Sequence, residues 1–147
     1  MRPKYENDFY GWIMTNALLL KQGKFNEADM ENIIEEMESM GRSEKSQLIN
    51  RFSVLIAHLL KWQFQPDFRG RSWHGTIKEQ RKRAKILLKD NPSLKRMLEE
   101  ILADAYELSV DQIEKETPID LRLLPSECPY TFEQCLEENF FPEQDQD

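Results

Sequence analysis

The imidazole and thiol donors of this chain are His58, His74, Cys128 and Cys135. Four such donors are the minimum for a structural zinc site. Zinc motifs, however, pair their ligands closely, whereas 15 residues lie between these histidines and 6 between these cysteines. The spacing therefore predicts no metal and no cofactor. A di-iron carboxylate site needs Glu-x-x-His pairs, and Leu55 and Arg71 stand where those glutamates would be. His58 falls one turn before Trp62, at the edge of an apolar helix face, and reads as a packed histidine with one hydrogen bond. Cys135 reads as a small core residue and Cys128 as part of a turn bracketed by Pro125 and Pro129, both thiols reduced.

Other constellations fail on what surrounds them. Gly70 to Thr76 has the glycine spacing of a phosphate loop, but lacks the lysine before the threonine and has no strand before it. Asp67 with Glu79, Gln80 and Arg81 is similar to the acidic and basic positions of restriction-type nucleases, yet nothing here can build the mixed sheet that holds such a site. Glu31 and Glu35 are one turn apart and could act as acid and base, but they belong to a longer acidic row. Ser72 and His74 lie too close together in sequence to specify a nucleophile and its base. No catalytic constellation emerges.

Charge is the more informative chemistry. The net charge is −7. From Arg42 to Arg96, however, 14 Lys and Arg stand against four acids, a net of +10, so the remainder carries −17. Lys78, Lys82, Lys85 and Lys89 recur at helical spacing over ~16 Å, at ~1.5 Å per residue. They lie opposite Trp73, Ile77, Ala84 and Leu87, with Arg81 and Arg83 flanking, and Arg69 and Arg71 precede them. Glu27, Glu31, Glu35 and Glu38 form a matching acidic row. Like charges at i,i+4 disfavour a helix by a few tenths of a kcal/mol per pair, so each row is better placed against an opposite charge. The expected function is that of a protein-interaction or self-association module, its partner a foreign protein or a second copy. The alternative is nucleic-acid binding through Arg69 to Lys89, with Phe68 or Trp73 stacking on a base. An acidic total argues against that alternative, because nucleic-acid-binding domains are usually basic.

The elements that must position these groups are helical. The chain has 147 residues, 32% charged and 39% hydrophobic, enough for one core and too apolar for a disordered tail. The longest uncharged stretch, Phe9 to Leu20, is 12 residues, short of the ~20 that cross a bilayer. No membrane span is expected, and the mixed charges of the first residues predict a cytoplasmic protein. No segment alternates as a half-buried strand does. Asp8 caps a first helix with the stripe Phe9, Ile13, Ala17 and Leu20, stopping at Gly23. Asn26 caps a second, striped by Met30, Ile33, Ile34, Met37 and Met40 and ending at Gly41. Ser43 opens a third, whose wide apolar face (Leu48, Phe52, Leu55, Leu59 and Trp62) makes it the centre of the core. A fourth runs from about Trp73 to Lys89, and a fifth from Pro92 to before Thr117. Ile119 to Pro129 forms an extended wrap anchored by Leu121, Leu123 and Leu124, and Thr131 opens a short last helix with a capping box to Gln134. The expected fold is all-α: one domain over residues 1–147, a compact bundle of about five helices, frayed at about 1–4 and 143–147.

Six short motifs occur along this chain: Tyr5-Glu6-x-Asp8-Phe9-Tyr10, Gly41-Arg42-Ser43-Glu44, His58 to Gln63, Ser72-Trp73, Pro92-Ser93-Leu94 and Glu127 to Thr131. In that order they resemble the bacterial domain of unknown function 29 family, from about Tyr5 to Pro142. The resemblance implies a compact helical protein of a bacterial cytoplasm and brings no catalytic or binding residue with it.

Overall fold

The computed structural model describes residues 1–143. Of the expected frayed end at 143–147, residues 144–147 lie outside the described residues. The protein is all-α: five α-helices, with short 3-10 turns and no strand among the described residues. They are α1 (Phe9–Lys21), α2 (Met30–Phe64), α3 (Arg71–Asp90), α4 (Leu98–Glu116) and α5 (Phe132–Leu136). Backbone contacts divide the chain into two units, residues 1–43 and the residues from Glu44 onward.

In the first unit, Asp8 caps α1 by accepting from the Gly11 amide at 3.0 Å. Gly23, at φ +73°, ends it. The amides of Gly23 and Lys24 return to the carbonyls of Leu20 and Leu19, a Schellman closure that needs the left-handed backbone only glycine adopts without strain. The buried side of α1 is Trp12, Asn16 and Leu19, whereas Phe9 and Ile13 of the expected stripe are exposed. A polar clasp selects that side. Trp12 Nε1 donates to Asp29 at 2.9 Å, Asn16 Oδ1 accepts from the Asp29 amide at 2.7 Å, and Asn16 Nδ2 donates to the Trp12 carbonyl.

Two expected helices are one. α2 runs unbroken through Gly41 and Ser43 for 35 residues. Gly41 ends nothing because its φ is not positive, and isolated glycine costs a helix only ~1 kcal/mol against alanine. Asp29, not Asn26, stands at the start of α2, its carboxylate accepting from the Asn32 amide.

The second unit holds the main core. Leu48, Phe52, Leu55, Ile56, Leu59 and Leu60 of α2 are fully buried, joined by Ile77, Ala84 and Leu88 of α3 and Ile101, Ala105 and Ile113 of α4. This is the wide apolar face read from the sequence. Pro92 begins a 3-10 segment to Met97, so the α-helical part of the expected fifth helix starts only at Leu98. In the wrap, Leu121 and Leu124 pack on the core, but Leu123 is exposed and anchors nothing. Thr131 and Gln134 form the expected capping box.

Candidate functional site

The outer face of α3 carries Lys78, Lys82, Lys85 and Lys89, all exposed. No ion pair among the described residues involves any of them. They line a groove of about 490 Å³ between α3 and the segment after α5, together with His74, Ile86, Glu138, Asn139 and Phe141. His74 lies flat on Phe141, ring centroids 5.1 Å apart and 9° between planes, and Phe141 in turn packs on Trp62 at 4.8 Å. The groove therefore has an apolar floor under a row of ammonium groups.

Arg81, expected beside this row as a flanking contact, is instead buried beneath it. Its Nε donates to the Cys135 carbonyl at 2.8 Å, Nη1 to Glu138 at 3.3 Å, and Nη2 to Gln134 at 3.2 Å and Phe140 at 2.6 Å. Its guanidinium also lies 5.3 Å from the centre of the Phe141 ring. A five-residue helix leaves its last carbonyls unpaired, and a planar fork of five donors can satisfy several of them together. Burial lowers the proton affinity of Arg81 below the usual arginine value. Arg81 thus ties the far wall of the groove to α3, and it lines the groove with almost none of its own surface open.

The remaining basic positions divide. Arg69 donates from Nε to the Trp62 carbonyl at 2.7 Å and stacks over the Trp62 ring, closing the end of α2. Arg71 is exposed at the first residue of α3, and Arg83 pairs with Glu79. Trp73 is half-buried with Lys61 Nζ 6.0 Å from its ring, while Phe68 is exposed.

Of the acidic row, Glu31, Glu35 and Glu38 lie on α2, but Glu27 sits in the turn before it. Arginines of the same unit answer three of the four. Arg2 meets Glu27 at 2.9 Å, and Arg42 meets Glu35 at 3.0 Å and Glu38 at 3.8 Å.

The groups that could do chemistry have structural surroundings. His58 is half-buried, its Nδ1 2.8 Å from the Val54 carbonyl, and burial holds its pKa below the ordinary histidine value. Cys135 is buried, and the Cys128 thiol donates to the Tyr130 carbonyl at 3.4 Å. No group of three or more His, Cys, Asp or Glu able to hold a metal occurs among the described residues. The sequence reading does not single out Ile86 or Phe141, and it considers His74 only as a metal ligand or catalytic base. Ile86 alone left a signal, an isoleucine on the lysine side of α3 where an amphipathic helix has no use for one.

No curated protein and no solved structure matches the chain. The model of the family described as domain of unknown function DUF29 matches residues 4–141, nearly the whole length, and the chain belongs to that family.

Proposed function

We propose that this chain is a protein-interaction module of the bacterial cytoplasm, and that the α3 groove holds an acidic partner segment carrying an apolar side chain. One observation carries the reading: four lysines with no ion-pair partner among the described residues stand over an apolar floor. Exposed ammonium groups in a row raise the local potential and favour a run of carboxylates. Ile86 and Phe141 offer the apolar contact that a plain electrostatic surface lacks. A self-associating form, with Glu27, Glu31, Glu35 and Glu38 of a second copy supplying the acids, has less support, because in-chain arginines already meet three of them. Nucleic-acid binding has less support too, since Arg69 and Arg81 are committed to backbone carbonyls.

The test is binding of the full chain to a fluorescent Glu/Leu peptide and to generic single- and double-stranded oligonucleotides, over a range of salt. The peptide should bind. Lys78→Glu with Lys82→Glu, and separately Ile86→Asp, should each weaken it roughly ten-fold or more, about 1.4 kcal/mol. Peptide binding unaffected by both changes overturns the reading. Oligonucleotide binding with a steep salt slope and indifference to Ile86→Asp would favour the nucleic-acid alternative.

A further inference from the structure

Residues 1–43 are built with their apolar side chains on the outside. Among the described residues, this unit contributes two of the nineteen buried apolar side chains, Trp12 and Leu19, but eleven of the sixteen large apolar side chains that are exposed. α1 has no charge between Phe9 and Leu20. A helix apolar on most of its circumference belongs in an interior, yet α1 buries only one narrow side. Between α1 and the first turns of α2 lies a groove of about 150 Å³, lined by Ile13, Ala17 and Leu20 on one side and Ile33, Met37 and Met40 on the other.

We propose that this helical hairpin, α1 with residues 30–42 of α2, is the docking face for a second copy of the chain, giving a four-helix packing across a two-fold axis. The reading of the α3 groove plays no part in it. Surface area supports an occupant of this size. Nine large apolar side chains of the hairpin stand 38–75% exposed, enough apolar surface to approach the ~800 Å² that one partner contributes to a standard interface. Charge selects a second copy over a basic helix. Glu35 and Glu38 already share Arg42, and Glu36 accepts from the Tyr5 hydroxyl, so the rim calls for little added positive charge. Glu31 is left, exposed and without an ion-pair partner among the described residues. If α2 pairs antiparallel with its copy near Met37, each Arg42 passes the Glu31 of the other chain. The patch also carries its own knobs and hole, Met37 and Ile13 beside Ala17, as an isologous interface requires.

The experiment is sedimentation equilibrium of the full chain from low to high micromolar concentration. The parent should be a dimer that dissociates on dilution. Met37→Lys changes a side chain that is 66% exposed and so leaves the hairpin itself intact; it should weaken dimerisation at least roughly ten-fold. Ile13→Lys should do the same. Lys82→Glu, on α3, should leave the mass unchanged, and circular dichroism checks that each variant stays helical. A parent that is monomeric at every concentration overturns the proposal, as does a dimer that survives Met37→Lys or is lost with Lys82→Glu.

Discussion

A guanidinium that donates to four backbone carbonyls is doing structural service, and its loss takes that donor from one buried and three part-buried carbonyls. Removing a buried charged hydrogen-bonding group of this kind costs about 3 kcal/mol or more. Arg81→Met should therefore lower the denaturation midpoint strongly. Arg81→Lys should rescue little, because one ammonium cannot span carbonyls from Gln134 to Phe140. A lysine variant as stable as the parent would show that the forked geometry is immaterial. The Lys61–Glu116 pair makes a second prediction. Lys61 is almost entirely buried and meets Glu116 at 2.7 Å, and that contact holds the Glu116 carboxyl below its usual pKa. A lowered folded pKa gives stability that is present above the unfolded value, ~4.3, and is lost as pH falls through the folded one. Glu116→Gln should thus cost on the order of 1 kcal/mol at neutral pH, discounted because Glu116 is half open to water, and the gap should close in acid. A gap that persists undiminished at pH 3 would contradict this linkage. At this scale the sequence put the lysines on the side of their helix opposite its apolar residues, where the structure exposes them, but could not separate Arg81 from them. Helical spacing puts Arg81 at the edge of the row, and only the arrival of residues 134–140 from far along the chain decides that it is buried.

Elements were legible wherever a local device fixed them. Asp8 and Gly23 bracket α1, and Thr131 with Gln134 opens α5, because caps and left-handed turns act over three or four residues. The continuity of α2 was not legible, since a glycine after an amphipathic run looks the same whether the helix stops there or passes through. What carries α2 through Gly41 is not written at Gly41. A Cβ there would meet nothing within 4 Å. Gly41→Ala should accordingly stabilise the protein by about 0.5–1 kcal/mol, through backbone entropy alone. If thermal melting shows the alanine variant less stable, the helix is using that glycine as a bend.

At the scale of the whole molecule the two units are unequal. The unit from Glu44 onward owns the fully buried residues of α2, α3 and α4, whereas residues 1–43 have two buried apolar side chains and the Trp12–Asn16–Asp29 clasp. Local opening is easiest where few apolar contacts are lost. Amide hydrogen exchange should therefore be faster in α1 and residues 33–42 than in residues 52–60, with α1 opening well before the global transition. Asp29 adds a pH dependence to that opening. Hydrogen bonds from Asn32 and Trp12 hold its carboxyl below the usual aspartate range, so their contribution is present above the unfolded pKa and fades as pH falls through the folded one. Concentration supplies the decisive variable. If a second copy covers the hairpin, mass action protects only what the dimer buries, and α1 exchange should slow as protein concentration rises while exchange at residues 52–60 does not change. Protection that is uniform across both units, or independent of concentration in α1, would mean that the exposed apolar face of residues 1–43 stays in water.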